Sequence, residues 1–473
     1  MTKKLLIAGS ALALICSCNS MENPLLKESS APFGAPEFDK IKNEHYLPAF
    51  EAGIAEAKAE IDAIVANQEE PTFENTIEAM EVSGQTLNNV AGIFFNLMEA
   101  NTNDEMQEIA EKVSPMLTEY SMYVSLNADL FQRVKAVYEK KDELGLAPDQ
   151  MKLLEDNYKS FVRGGANLSD EEKALYSKWS EELSLITLQF SKNVLAATNA
   201  YVLNITDSTQ LGGLPEFVKT MAAETAAEKG LEGWAFTLDA PSYSPFLKYS
   251  TERDLRKQIW TAYNTRAIGG ENDNTEIVKK IVDLRIKIAN ILGYETYADY
   301  ALEERMAKNK LTVNEFIKNL LEPSMEFAKK DVADVYAFAK KNGFEDSQLQ
   351  SWDFSYWSEK YQQAEYSLSA EELKPYFQLE SCIDAVLGLA TRLYGITFKE
   401  LDNVPVYHPD VKVYEVNDAD GRHLALFYAD FFPRASKRGG AWMTEFRDQK
   451  IQNGVEYRPF ITTVMNFTKP TAD

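Results

Sequence analysis

The sequence predicts a mainly α fold with two small β-containing parts, and two kinds of hydrophobic periodicity support this. From Asn43 to about Ile205, and again from about Thr251 to about Tyr394, apolar residues recur every three or four positions. That is the period of an amphipathic helix. Residues 199–250 and roughly the last eighty residues alternate apolar and polar positions, which is typical of strands. We therefore expect a large helical body with a β-containing insertion and a β-containing C-terminal part.

Residues 37–198 are predicted to be an N-terminal helical region. Ser169 and Glu172 form a capping box, in which each side chain satisfies a free amide at the start of a helix. Gly164-Gly165, just before it, is typical of a helix end. The apolar stripes of the first three helices are Leu47, Phe50, Ile54, Ala57, Ile61 and Ile64; Leu87, Val90, Phe94 and Leu97; and Leu126, Leu130, Val134 and Val137. The helix after Ser169 carries Leu175, Trp179, Leu183, Ile186 and Phe190.

Residues 199–250 are predicted to be a β-containing insertion, because 201–205 and 234–238 alternate and glycines and a proline punctuate them. Helices are predicted to resume at about Thr251 and to continue to about Tyr394, with a second capping box at Thr312 and Glu315. Further on, Asp418-Ala419-Asp420-Gly421 separates two alternating segments and predicts a β-hairpin. A last strand is predicted at 460–467.

The N-terminus has the pattern of an export signal. Lys3 and Lys4 precede an apolar run too short to span a bilayer, and the run ends near Cys16 and Cys18. Because Ser17 is small, we expect residues 1–18 to be a lipoprotein-type signal peptide with Cys18 lipidated; the alternative is a plain signal peptide cut nearby. Residues 19–36 would be a tether. The predicted location is the cell envelope, as a periplasm-facing lipoprotein, and Cys382 alone would remain in the fold, which leaves no intradomain disulfide.

Composition excludes some functions. The 473 residues contain 49 Lys and Arg against 73 Asp and Glu, a net charge of −24. A chain this acidic needs a local basic patch to bind nucleic acid, so no nucleic-acid partner is expected. Hydrophobic residues make up 45% and charged residues 26%, which is typical of a globular protein.

The histidines give no metal site. A zincin needs two His one helical turn apart with a Glu between them, and no His-Glu-x-x-His occurs among these residues. His408 and His423 bracket the predicted hairpin and could meet across it, but solvent-facing or structural roles are favoured for them, as for His45. Asp418 and Asp420 resemble the start of a calcium loop, yet Phe427 stands where the bidentate Glu belongs.

Other candidate side chains also have ordinary explanations. Cys382 lies in an apolar helical context and is predicted to be a core residue rather than a nucleophile. A basic cluster surrounds Gly439-Gly440-Ala441-Trp442. It could receive a peptide carboxylate or lie along a ligand groove, or it could be a solvated loop paired with acidic neighbours, and composition favours neither. The cluster consists of Arg434, Lys437, Arg438 and Arg447.

A series of segments carries a family resemblance. The most specific is Phe427–Arg434 (FYADFFPR) running into Lys437–Trp442 (KRGGAW). Others follow in order at 71–78, 95–97, 100–102, 288–294, 297–300, 306–307, 352–356, 373–377, 393–396 and 408–411. Together they resemble the M3 family of zinc metallopeptidases, specifically its bacterial peptidyl-dipeptidase (dipeptidyl carboxypeptidase) branch. The match extends from about residue 37 to Asp473.

The resemblance implies an α-rich, two-lobed architecture split by a deep channel. It also implies one zinc ion, held by His-Glu-x-x-His and a downstream Glu, and removal of dipeptides from the C-terminus of short peptides. In the family, the segment resembling Asn466–Pro470 lies shortly before the zinc helix. We therefore expect 251–473 to be the start of the M3 catalytic region, incomplete, and we assign no catalytic and no metal-binding residue.

Two hypotheses follow. The favoured one is a fragment of an M3 peptidyl-dipeptidase that binds no zinc, is inactive alone and exposes an apolar face. The alternative is a non-enzymatic envelope lipoprotein acting as a peptide-binding or scaffold module. The nucleotides after codon 473 would separate them, because a frame encoding His-Glu-x-x-His favours the first. The expected partners are short peptides, and membrane contact is expected only through the lipid on Cys18.

Overall fold

The computed structural model describes residues 23–452 and 454–470, and helices dominate it, which confirms the predicted mainly α class. Cys18 and the predicted signal peptide lie outside the described residues. The first helices are α1 (Asn43–Ala66), α2 (Ala79–Glu81), α3 (Gln85–Ala100), α4 (Asp104–Ser125), α5 (Ala128–Glu139), α6 (Pro148–Arg163) and α7 (Asp170–Ala200).

The predicted stripes of α1 and α3 form the centre of the main core. Phe50, Val90 and Phe94 are fully buried there, together with residues of α4 and of the C-terminal sheet. The two helices approach closely at Gly53, where a Cβ would lie 3.0 Å from the Leu87 backbone. A larger residue at position 53 would therefore push α3 away from α1.

Helix boundaries agree with most of the predicted signals. Ser169 caps α7, and its Oγ accepts from the Glu172 amide while the Glu172 carboxylate accepts from the Ser169 amide. Gly164 follows the last residue of α6. Two stripe positions differ from the prediction, because Leu126 terminates α4 instead of lying within α5, and Leu175 is exposed.

The segment 199–250 contains two short strands that pair antiparallel, β1 (Leu203–Ile205) and β2 (Trp234–Phe236). It also contains two helices, α8 (Glu216–Glu228) and α9 (Ala240–Tyr249). The strands and helices share a compact core that includes Phe236 and Phe246. Helices therefore occupy more of this segment than strands do.

The second helical part comprises α10 (Arg253–Asn264), α11 (Thr275–Ile291), α12 (Tyr297–Leu302), α13 (Lys310–Lys341), α14 (Ser351–Tyr366), α15 (Ala370–Leu373) and α16 (Leu379–Tyr394). The capping box predicted at Thr312 is wrong. Asn309 caps α13 instead, accepting from the Thr312 amide at 2.9 Å, so Thr312 lies inside the helix. Residues 314–332 of α13 are exposed around the whole helix.

Seven strands lie near the C-terminus: β3 (Thr397–Leu401), β4 (Val411–Asn417), β5 (His423–Asp430), β6 (Trp442–Arg447), β7 (Lys450–Gln452), β8 (Val455–Tyr457) and β9 (Phe460–Val464). Five of them form a sheet in the order β3-β4-β5-β9-β6. The predicted hairpin is present, with Gly421 at a φ of 85° in the turn. Parallel pairing joins β5 to β9, and the other neighbours in this sheet are antiparallel. Periodicity did not predict β3, β6, β7 or β8.

Residues 23–38, hereafter the strap, run across this body before α1. The Asn23 side-chain amide donates to the His45 carbonyl at 2.8 Å, and Ala35 and Phe38 are buried in the main core. Phe38 packs edge-on against the rings of Tyr407 and Phe446, 5.5 and 5.2 Å away. The strap therefore connects the start of the described chain to the C-terminal sheet.

Candidate functional site

The end of α3 is fastened to the loop between β5 and β6, hereafter the 431–441 loop. The Thr102 amide donates to the Ser436 carbonyl and the Arg438 amide to the Glu99 carbonyl, both at 2.9 Å. The Arg438 guanidinium also pairs with Glu99 at 2.5 Å. These bonds join segments more than 300 positions apart, and both segments belong to the resemblance noted in the sequence.

The buried carboxylate of Asp430 holds the 431–441 loop in place through hydrogen bonds to its side chains. Arg434 donates to both of its oxygens, at 3.0 and 2.5 Å, and the Lys437 ammonium donates to it at 2.9 Å. The Tyr407 hydroxyl adds a bond at 2.9 Å. Both Asp430 and the Lys437 side chain are fully buried. This Asp430 cluster (Asp430, Arg434, Lys437 and Tyr407) fixes where the loop leaves β5.

Burial and charge pairing oppose each other in this cluster. Burial alone would raise the pKa of the Asp430 carboxyl, but the bonds from Arg434 and Lys437 outweigh it and leave the pKa below its usual range. Burial also lowers the pKa of the Lys437 ammonium, against the pull of Asp430. Burial, with Asp430 nearby, raises the pKa of Tyr407 far above its ordinary value. The carboxylate therefore stays charged at neutral pH.

The four basic residues that cluster in the sequence do not share one partner in the structure. Arg434 and Lys437 are directed at Asp430, and Arg434 also donates to the Ala100 carbonyl at 2.6 Å. Arg438 pairs with Glu99, and Arg447 lies over the Phe460 ring at 3.6 Å. The pairing with acidic neighbours that composition left open is present, but the side chains of Arg434 and Lys437 are mostly buried rather than solvated, and neither is open to a peptide carboxylate. Their common target, Asp430, was missed; its only sequence signal was two cations four and seven residues later.

Strand β6 ends the five-stranded sheet, so one of its edges has no neighbouring strand among the described residues. The Glu445 carbonyl accepts from the Asn96 side chain of α3 at 2.7 Å, so it faces away from β9. Alternate residues of a strand direct their amide and carbonyl to the same edge. By this alternation the Met443 amide and carbonyl face the same edge, beyond the point where α3 contacts it at Glu445. The Met443 residue is 63% exposed. Such an edge can pair with an extended peptide.

The three histidines lie apart, and two of them, His45 and His408, accept local hydrogen bonds. His45 Nδ1 accepts from the Lys42 amide at 3.1 Å at the start of α1, and His408 Nδ1 accepts from the Asp410 amide at 3.2 Å. The β4–β5 register puts His423 at the turn and Asp430, near His408, at the far end of the hairpin. His408 and His423 therefore do not meet across the hairpin, and their meeting is the less favoured of the two interpretations. No three His, Cys, Asp or Glu residues gather as metal ligands within 23–452 and 454–470, so these residues do not fit a zinc site.

The remaining candidate residues also have local roles. Asp418 and Asp420 accept from the backbone amides of Ala419 and Arg422, which is the bonding of a tight turn. Cys382 is half-buried on α16 and not in a core cluster. No helix in the described part of the chain combines the length and apolar character needed to cross a bilayer.

A cavity of about 450 Å³ lies between α9, α10 and α14. Its walls include Tyr243, Trp260, Phe354, Ser355 and Ser358. The two charged residues in the lining, Lys248 and Glu359, pair with each other at 2.7 Å. The cavity therefore offers rings and hydroxyls rather than an unpaired charge.

Known proteins resemble this chain over nearly all of its length. The model of the family described as Peptidase family M3 matches residues 246–473. Dipeptidyl carboxypeptidase of Escherichia coli (strain K12) is 38% identical over 455 residues, which is 95% of this chain and 66% of that protein. Oligopeptidase A of the same organism is 33% identical over 456 residues, and a probable cytosolic oligopeptidase A of Arabidopsis thaliana is 34% identical over 465, each with the same coverage.

The chain thus spans about two thirds of the length of these curated relatives. The matched region includes the fastened end of α3, the Asp430 cluster and the edge strand β6. Together with the helical fold, these similarities assign the family. The chain belongs to the M3 family of peptidases.

Proposed function

We propose that this chain is part of a zinc-dependent peptidase that removes dipeptides from the C-terminus of short peptides. The observation that carries the proposal is the 38% identity to a dipeptidyl carboxypeptidase, against 33% to oligopeptidase A of the same organism. Zinc, when bound in such an enzyme, polarises the scissile carbonyl. The described residues would contribute binding and positioning.

The contribution we assign to this chain is to hold the peptide in an extended form. An extended substrate would pair with the free edge of β6, where the Met443 amide and carbonyl are directed outward. The Asp430 cluster and the end of α3 would hold the 431–441 loop rigid, so that β6 keeps its position during binding. Rigid support reduces the conformational entropy lost when a ligand binds.

We further propose that the 473 residues alone do not hydrolyse peptides. The three histidines lie apart, and no three His, Cys, Asp or Glu residues gather as metal ligands among residues 23–452 and 454–470. A peptide bound at β6 would therefore meet no activated water.

One experiment tests binding and hydrolysis together. The purified chain would first be dialysed and its zinc content measured. It would then be titrated into a labelled heptapeptide with a free C-terminus. Fluorescence anisotropy of the peptide would report binding, and mass spectrometry would identify any products. We expect saturable binding, no stoichiometric zinc and no cleavage. Chelator-sensitive dipeptide release would overturn the inactivity, and internal cleavage would overturn the dipeptidase assignment.

Two substitutions of Met443 form a matched pair that tests peptide binding at β6. Met443→Pro removes the outward amide and should weaken binding, by about tenfold if one backbone hydrogen bond is lost. Met443→Ala keeps the amide and shortens an exposed side chain, so its affinity should stay close to that of the parent. Equal affinity for the two variants would place the peptide elsewhere.

A further inference from the structure

Besides the contacts of Asn23, Ala35 and Phe38 described above, the strap makes a separate ring contact through Phe33. Phe33 stacks on the imidazole of His423 at the start of β5, with ring centroids 4.5 Å apart and planes at 19°. The ring of Phe33 is 40% exposed, whereas Ala35 and Phe38 further along are buried. Phe33 therefore covers His423 at the rim of the sheet while the main core holds the end of the strap.

The backbone at this contact is strained. Phe33 has a φ of 61° and a ψ of 8°, the left-handed region that a residue with a Cβ disfavours. Its neighbour Gly34, at 69°, bears no such penalty. The conformation of Phe33 persists only while surrounding contacts hold it. The stacked His423 ring is the contact that its side chain makes.

The covered imidazole has poor solvation. Both ring nitrogens of His423 are buried without a hydrogen-bond partner, and its Nδ1 lies 3.4 Å from the Glu415 carboxylate on β4. Arg447 at the end of β6 and Arg458 just before β9 also act on it electrostatically. Burial lowers the pKa of His423, Glu415 works in the opposite direction, and the two arginines lower it further.

We propose that the strap is a pH-sensitive latch, in which protonation of His423 releases Phe33 and the turn around it from the sheet. An imidazolium requires water or hydrogen-bond acceptors, and displacement of the Phe33 ring would admit water to both nitrogens. Release would also relax the left-handed backbone of Phe33. The buried residues Ala35 and Phe38 would keep the later part of the strap in place.

The direction of the pH effect follows from proton linkage. The docked strap favours neutral His423, so the docked state binds fewer protons than the released state. Docking is therefore strongest above the ordinary histidine pKa of about 6.5 and weakens as the pH falls below it. One proton gives at most a tenfold change in the docking equilibrium per pH unit. Once the docked state is also protonated, the dependence levels off.

Hydrogen exchange tests the latch on the full chain. The amides of Gly34 and Ala35 are bonded within the strap turn, to the Ala31 and Pro32 carbonyls. Their protection, corrected for the intrinsic pH dependence of exchange, should fall between pH 7.5 and 5.5. In His423→Phe, which keeps a stacked ring but cannot titrate, protection should not vary with pH. His408→Asn, which removes a histidine distant from Phe33, should behave like the parent.

A second measurement covers the case in which a His423 variant folds poorly. The pKa of His423 would be followed by NMR in the parent and in Phe33→Ala, which leaves the histidine in place. We expect the pKa to rise toward its ordinary value when the Phe33 ring is removed. An unchanged pKa, or the same pH dependence of exchange in the parent and in His423→Phe, would overturn the proposal.

Discussion

At the scale of single residues, Asp430 shows how one buried charge organises a loop. Three side chains, those of Tyr407, Arg434 and Lys437, donate hydrogen bonds to its carboxylate. Pairing two buried cations with one carboxylate avoids an unpaired charge in the interior, where that is costly. The cluster is therefore a strong structural constraint on the 431–441 loop.

Asp430→Asn should destabilise the protein by about 3–5 kcal/mol, because it leaves Arg434 and Lys437 without a buried counter-charge. Urea unfolding at pH 7 measures the loss. Asp418→Asn is the matched control, since Asp418 pairs with Arg422 at the exposed hairpin turn and its replacement should cause little change. Equal effects of the two substitutions would contradict the role given to Asp430.

The effect of Asp430→Asn on the free energy of unfolding should depend on pH. The folded state lowers the pKa of Asp430, so its stabilising contribution is complete above the ordinary carboxyl pKa of about 4 and is lost as the pH falls through the lowered value. The difference in unfolding free energy between the parent and Asp430→Asn should therefore shrink in acid.

At the scale of elements, two similar capping-box motifs occupy different positions in their helices. Ser169-x-x-Glu172 caps α7, whereas Thr312-x-x-Glu315 lies within α13 because Asn309, three residues earlier, takes the cap. Both motifs have the right chemistry, but at Thr312 an earlier residue, Asn309, already caps the helix. A capping box therefore needs to be read together with the residues before it.

Ser169→Ala should destabilise the protein by about 1 kcal/mol, since it removes the acceptor for the Glu172 amide. Ser191→Ala, inside the same helix and exposed, should instead stabilise by up to about 0.5 kcal/mol because Ala is the better helix former. Thermal unfolding followed by circular dichroism measures both. Changes of the same sign would show that the cap contributes nothing.

The sequence predicted local features better than distant ones. The stripes of α1 and α3, the β4–β5 hairpin and the cap of α7 each depend on residues within a few positions, and all are present. Strands β3 and β6 are defined by partners β4 and β9, so their own residues carry only a weak pattern. The bond from Arg434 to Ala100 joins residues 334 positions apart, and no periodicity reports such a contact.

At the scale of the whole molecule, apolar side chains are concentrated on the exposed surfaces of α11, α13 and α16. Phe316 and Phe327 on α13 are 63% and 70% exposed, and Leu393 on α16 is 64% exposed. Patches of this kind are uncommon on soluble monomers and mark surfaces that associate with other molecules. The exposed set on these helices is Val278, Val282, Ile286, Leu311, Phe316, Ile317, Leu320, Leu321, Met325, Phe327, Val332, Val386, Leu389, Leu393 and Tyr394.

The chain should bind the apolar dye ANS while folded and should self-associate as its concentration rises. Replacing Phe316, Leu320 and Phe327 by Gln should reduce both effects without lowering the unfolding temperature, because these side chains are not in a core. Dye fluorescence and sedimentation velocity measure this. Val162→Gln, a substitution of a single exposed residue on α6, is the control and should leave both unchanged.

The lack of core contacts along most of helix α13 affects how stably its first turns are folded. The helix has 32 residues and is about 48 Å long, yet its buried residues, Val335 and Ala339, lie in its last turns. Its earlier turns depend on intrinsic helix propensity, and Pro323 removes one of their hydrogen bonds. This part should therefore interconvert between helix and coil without unfolding the core. A partner that binds it would select the helical form, and the ordering entropy would lower the affinity and speed dissociation.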